Sequence, residues 1–156
     1  MLIYDIPGTG EIKIENIVFD YNGTVAIDGK LIEGVKESLI KLKSHANIYI
    51  LTADTYGTVK TQCNDLGIDV KTFPKENAGL FKKKIVEELG ANSTICVGNG
   101  VNDVEMFKIC RISIATVEGE GCSGKLLVNT DIAVNSIQDA VDLILSNDRM
   151  KATLRN

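Results

Sequence analysis

The apolar positions fall into short unbroken runs separated by stretches with helical spacing. Asn16-Ile17-Val18-Phe19-Asp20, Asn47-Ile48-Tyr49-Ile50-Leu51, Ile68 to Phe73, Ser93-Thr94-Ile95-Cys96-Val97, Ile112 to Thr116 and Ile132-Ala133-Val134 show no in-out alternation. Strands covered on both faces of a parallel sheet have this pattern. Leu31 to Ser44 carries apolar residues at 31, 32, 35, 39, 40 and 42, which predicts a helix. Thr52-Ala53-Asp54-Thr55 is a good start for a second helix, which runs to Leu66 with Gly67 as its cap. Pro74 stops the third strand before a helix from Asn77 to Leu89 capped by Gly90. Further helices are expected from Asn102 to Cys110 and from Ile137 to Ser146. At the N-terminus, residues 2–5 and 11–14 flank Ile6-Pro7-Gly8-Thr9-Gly10 and predict a β-hairpin.

Strand and helix alternate from residue 16 onward. The prediction is a three-layer α/β/α, Rossmann-like fold: a parallel sheet with helices on both faces, connected right-handed. The chain is expected to form one domain over 1–156, with a hairpin at 1–14, a core at 15–146 and a partly ordered tail at 147–156. In such folds ligands sit beyond the carboxyl ends of the strands, where the strand order reverses. The positions to inspect are therefore Asp20, Thr52, Pro74, Gly98 and Thr116.

Composition narrows the function classes. The chain has 156 residues, 24% of them charged, and a net charge of −4, which argues against a nucleic-acid partner. No run approaches the ~18 apolar residues of a membrane span, and the first ten residues lack the basic start and apolar centre of a signal peptide. A cytoplasmic protein is expected. Cys63, Cys96, Cys110 and Cys122 lie far apart with a single His, His45, in the chain; this excludes a zinc cluster and predicts four reduced thiols, three of them filling the core. His45 is expected at the surface, at a helix end.

The strand ends carry the chemistry. Asp20 and Asn22 point the same way in an extended segment, and Gly23 permits a tight turn that aims amides inward. A carboxylate placed there attacks a phosphoryl group or binds a cation, or simply closes an Asx turn. The Thr52 hydroxyl and the amides after it suit either a phosphate or an N-cap. One of Lys82, Lys83 and Lys84 can turn inward to neutralise an anion, whereas the others face solvent. Gly98-Asn99-Gly100-Val101-Asn102-Asp103 offers oxygen ligands for a metal. As a dinucleotide loop it fails, because Asp103 stands where the third glycine belongs and would repel pyrophosphate.

Taken together, Val18-Phe19-Asp20-Tyr21-Asn22-Gly23-Thr24, Leu51-Thr52-Ala53-Asp54, a lysine near 82 and Gly98-Asn99-Gly100-Val101-Asn102-Asp103 resemble the four motifs of the haloacid dehalogenase superfamily. The resemblance covers about residues 15–146, and the last motif looks most like that of P-type ATPases and their small soluble relatives. It implies a phosphotransferase in which Asp20 is the nucleophile and forms an aspartyl-phosphate. It also implies Mg²⁺ held by Asp20, the Asn22 carbonyl and an oxygen of Asn99 or Asp103. Gly23, Thr52, Ala53 and Lys82 would hold the phosphoryl group, with Lys83 as the fallback for the lysine.

Two positions depart from the family's phosphatases. Asn22 replaces the usual second aspartate, which serves as general acid and base, so hydrolysis is expected to be slow. Asn99 replaces a metal-binding aspartate, so the metal is expected to bind weakly. A non-hydrolytic regulatory or phosphoacceptor role is the alternative. The segments at 24–34 and 74–81 are too short for a cap domain. A capless member takes a phosphorylated substrate, macromolecular in some relatives, or borrows a lid from a second copy. The N-terminal hairpin is either an oligomer contact or an extra edge-strand pair.

Overall fold

The computed structural model describes residues 1–54 and 57–156. The chain opens with strands β1 (Leu2–Ile6) and β2 (Gly10–Ile14), paired antiparallel as predicted. They form a sheet of their own and do not extend an edge of the central sheet. Their alternating pattern explains this: Leu2, Tyr4, Ile6, Ile12 and Ile14 all face one apolar cluster, so the hairpin is held by its face. The Tyr4 hydroxyl donates to the Ile144 carbonyl at 2.6 Å.

The central strand β3 (Asn16–Asp20) is buried along its whole length. A small hairpin, β4 (Ala26–Ile27) with β5 (Lys30–Leu31), follows it. Helix α1 (Val35–Lys43) begins later than its apolar spacing predicts, because Leu31 pairs in β5 and Gly34 takes φ +78°, outside the right-handed helical region. Then come β6 (Asn47–Thr52), α2 (Thr58–Cys63), a 3₁₀ turn at Asn64–Leu66, β7 (Asp69–Thr72) and α3 (Ala78–Leu89). The second helix starts later than the Thr52–Thr55 segment expected to open it: Thr52 still belongs to β6, Ala53 and Asp54 are not helical, and Gly57 at φ +83° lies outside the right-handed helical region, while Thr55 lies outside the described residues.

Strand β8 (Thr94–Gly98) leads into a 3₁₀ turn at Val101–Asp103 and the short helix α4 (Val104–Phe107). One long helix was expected there. It is cut short because the Asp103 carboxylate accepts from the Asn99 and Gly100 amides and closes a tight turn. The rest is β9 (Ile112–Thr116), α5 (Gly124–Leu127), β10 (Ile132–Val134), α6 (Ile137–Leu145) and α7 (Asn147–Leu154). The tail is thus a helix over most of its length, packed against β1.

The six core strands are parallel, in the order β10-β9-β8-β3-β6-β7. Side chains alternate across β3: Ile17 and Phe19 join the cluster under α1, α2 and α6, and Val18 joins the one under α3, α4 and α5. This is the expected three-layer α/β/α arrangement. The chain runs from β3 to one side and later returns to fill the other, so the strand order reverses at β3. No second domain is inserted between β3 and α1 or between β7 and α3. Among the described residues no helix is long and apolar enough to cross a membrane. All four cysteines are free, but only Cys63 and Cys96 are fully buried, one fewer than expected. His45 is exposed just beyond α1.

Candidate functional site

Three neighbouring strands, β8, β3 and β6, end in Gly98, Asp20 and Thr52. Their carboxyl ends form the floor of a cavity of about 490 Å³. It is lined by Asp20 and Tyr21, Asn22, Thr52 and Ala53, Phe73, Lys82, and Asn99 through Asn102. Pro74 and Thr116 are not among these residues; Thr116 is fully buried and its hydroxyl has no partner among the described residues.

Lys82 is the centre of the floor. It lies one turn into α3, on the face that packs against the 3₁₀ turn, and is 1% exposed. Its ammonium donates to Asp20 Oδ1 at 2.6 Å, Asp103 Oδ1 at 2.7 Å and Asn102 Oδ1 at 3.1 Å, which uses all three N–H groups. The Phe73 ring lies 5.9 Å from the same nitrogen. Lys83 instead faces solvent, 3.8 Å from Glu87. The lysine that meets the carboxylates is therefore Lys82.

Asp103 lies beneath this floor, fully buried. Its Oδ2 accepts from the Asn99 amide at 3.0 Å and the Gly100 amide at 2.9 Å, and its Oδ1 accepts from Lys82. Both oxygens are engaged within the protein and the residue does not line the cavity, so its observed part is to anchor Lys82 and the Asn99–Gly100 turn. Asp20 is 8% exposed and does line the cavity. Burial and the nearby Asp103 charge push its carboxyl up to about 7, against the lowering effect of Lys82 and the Tyr21 amide. Burial alone would lower Lys82, but Asp103 and Asp20 hold it above the ordinary lysine value. Two buried carboxylates thus share one ammonium.

Around this centre, the Thr52 hydroxyl accepts from the Asp54 amide at 3.1 Å. Asn22 is exposed at the cavity mouth. Gly23, at φ +81°, approaches so closely that a Cβ there would stand 2.1 Å from Asn99 Nδ2. The Asn99 carboxamide accepts from the Thr24 hydroxyl at 3.3 Å and donates to the Gly121 carbonyl at 3.1 Å. It therefore ties the β3 loop to the glycine-rich loop between β9 and α5, which carries Gly119 and Gly121. Sequence reasoning missed Asn102 as a partner of Lys82 and missed Thr24 as a partner of Asn99. Their positions inside the quoted motifs were the available signal.

Comparison with known proteins agrees with this fold. The sequence model of the haloacid dehalogenase-like hydrolases matches residues 3–110. Uncharacterized protein MJ0073 of Methanocaldococcus jannaschii is 39% identical over 81 residues, 49% of this chain and 87% of that one. A soluble P-type ATPase-like phosphatase of the same organism is 28% identical over 123 residues, 77% of this chain but 45% of the relative's own length. Among solved structures, the fold matches a 3-deoxy-D-manno-octulosonate 8-phosphate phosphatase from Moraxella catarrhalis in complex with magnesium ion, phosphate ion and the sugar acid. The TM-score is 0.65 at 18% identity, covering 91% of this chain and 94% of that one.

Proposed function

Because the chain belongs to the haloacid dehalogenase-like hydrolase family, we propose that it is a magnesium-dependent phosphohydrolase that works through an aspartyl-phosphate on Asp20. The observation that carries this reading is the Asp20–Lys82–Asp103 chain of 2.6 and 2.7 Å contacts on the cavity floor, at the switch point of the sheet. The phosphatase relative, and the magnesium and phosphate of the Moraxella enzyme, point the same way.

The donor set fits magnesium. The lining side chains that can ligate a cation (Asp20, Tyr21, Asn22, Thr52, Asn99, Asn102) all do so through oxygen, with neither thiol nor imidazole among the described lining residues. Two carboxylates against one ammonium also leave a negative charge that a cation would balance. Among the described residues no three His, Cys, Asp or Glu side chains form a cage, as suits an ion bound partly by substrate phosphate. The Asp20 carboxylate, the Asn22 carbonyl and the Asn99 carboxamide would hold it, and Asp103 would serve through Lys82. When bound, magnesium supplies charge neutralisation between carboxylate and phosphoryl oxygens.

Lys82 fixes the Asp20 carboxylate through Oδ1 and offsets charge on the incoming phosphoryl group. The Thr52 hydroxyl and the Ala53 amide hold phosphoryl oxygens; the Gly23 amide, expected to join them, instead donates to the Ala26 carbonyl at 2.7 Å. Asp20 attacks phosphorus, the leaving group departs, and water then frees phosphate. Purified protein with magnesium and p-nitrophenyl phosphate tests this. Turnover should be lost in Asp20→Asn, and a variant that keeps the wild-type rate would sink the proposal.

Asn22 favours a second reading, a phosphoacceptor or sensor that does not turn over, because a carboxamide at the mouth cannot activate water. A silent wild type beside an active Asn22→Asp variant would select it.

A further inference from the structure

We propose that the site is selective for phosphomonoesters of aryl-type, acidic hydroxyls that carry no second anionic group; this rests on the phosphohydrolase reading above. Three features of the cavity lead there, the first being its charge. Among the described lining residues only Asp20 and Lys82 are charged, and they are bonded to each other. All three Lys82 donors are already committed, so beyond the phosphoryl group and its ion no described lining side chain offers a free positive charge to a second anion. A second phosphate or a carboxylate would be desolvated there without a partner.

The second feature is that, among the described lining residues, no carboxylic acid or imidazole other than Asp20 itself is placed to protonate the leaving oxygen. Asn22 is a carboxamide, and Asp103 is sealed below the floor by Lys82 and two amides. The Tyr21 phenol is turned toward the Gly29 carbonyl at 3.1 Å and Gln62 Oε1 at 2.9 Å. The leaving group must therefore depart as an anion. An Asp20 oxygen bonds to phosphorus, the P–O bond to the aryl oxygen breaks with its electron pair on that oxygen, and the aryloxide takes a proton from bulk water. Water then attacks phosphorus, the P–O bond to Asp20 breaks, and phosphate, a solvent proton and the carboxylate result. Aryl oxides leave readily in this way and alkoxides of ordinary alcohols do not.

The third feature is the wall. Phe73 and Ala53 line the cavity, and Val101 stands at its mouth 58% exposed. Phe73 is fixed by parallel stacking on Phe81, with centroids 6.5 Å apart and planes 9° apart. A flat apolar ring would cover the Val101 side chain where a sugar hydroxyl would leave it wet.

The experiment compares kcat/KM for substituted phenyl phosphates of graded phenol acidity, a fluoroalkyl phosphate matched in acidity to one of them, an ordinary alkyl phosphate and a phenyl ester bearing a carboxylate. Wild type, Asn22→Asp and Val101→Ser are assayed side by side. Wild type should depend steeply on leaving-group acidity, and Asn22→Asp should recover about 10²–10⁴-fold on the ordinary alkyl ester. At matched acidity the aryl ester should be favoured about tenfold, the gain from covering part of a ring, and Val101→Ser should shrink that preference. A flat dependence on acidity, or parity of the fluoroalkyl or carboxylate-bearing ester with its partner, overturns this inference and leaves the phosphohydrolase reading standing. No hydrolysis of any ester by any variant removes both.

Discussion

A Cβ on Gly98 would stand 2.4 Å from Asp103 Oδ2. The last residue of β8 is a glycine because the Asp103 carboxylate occupies the space a side chain would need. That carboxylate cannot retreat, since the Asn99 and Gly100 amides and Lys82 hold it. Gly98→Ala should therefore cost about 1–3 kcal/mol of stability, as overpacking typically does. Activity should fall further than the unfolded fraction explains, because Lys82 moves with Asp103. Urea melts beside initial rates on the still-folded protein check both parts.

Removing the shared ammonium should be more damaging. Lys82→Met leaves Asp20 and Asp103 facing each other in a buried floor, a loss of about 3–5 kcal/mol for a broken buried pair. Adding Asp103→Asn should restore part of it, because the second variant removes one of the two stranded charges. Lys83→Ala, which breaks only an exposed 3.8 Å contact to Glu87, should stay within about 0.5 kcal/mol of wild type. Denaturant midpoints for the four proteins decide this, and equal losses at 82 and 83 would contradict the geometry.

The burial of Asp20 beside Asp103 also sets a pH dependence in magnesium-free buffer with chelator. Asp20 has its carboxyl raised from 3.8 to about 7, by burial first and then by Asp103. A raised carboxyl binds its proton more tightly in the folded state, so its stabilising contribution is full below 3.8 and is lost as pH climbs through about 7. Asp20→Asn cannot lose it. The Tm of Asp20→Asn minus that of wild type should therefore grow as pH rises across this window. A difference that stays flat or shrinks would contradict the assignment.

The sequence displayed the strand ends well and the contacts between them poorly. β9 and β10 lie where their apolar runs put them, and Asp20, Thr52 and Gly98 close their strands as expected. These are local properties of residue type and spacing. Lys82 could not be separated from Lys83 and Lys84 by periodicity, because its inward turn depends on carboxylates 62 and 21 residues away. The anchoring role of Asp103 was hidden for a related reason: a carboxylate in a metal-like motif looks the same whether it faces a cavity or the amides behind it. Most of α7 falls in the segment expected as a partly ordered tail, because its few apolar residues fit helical spacing only once the neighbouring surfaces are in place.

The hairpin of β4 and β5 is the least legible part and the easiest to release. Its turn carbonyl at Gly29 accepts from the Tyr21 hydroxyl at 3.1 Å and from Gln62 Nε2 at 3.4 Å. On the other side, the Asp28 amide donates to Glu120 Oε2 at 3.2 Å, and Ile27 fills the space beside Gly119. The hairpin therefore straps α2 to the glycine-rich loop, whose Gly121 carbonyl in turn holds Asn99. Tyr21→Phe removes the hydroxyl and keeps the buried ring, at a cost of about 1 kcal/mol. Glu120→Ala releases the other end, where the exposed contact is worth less. Hydrogen exchange at 26–31 should quicken in both variants while the β3 amides keep their protection. If exchange over 26–31 is unchanged in Tyr21→Phe, the strap is held by packing of Val25 and Ala26 alone, and the hydroxyl has no part in it.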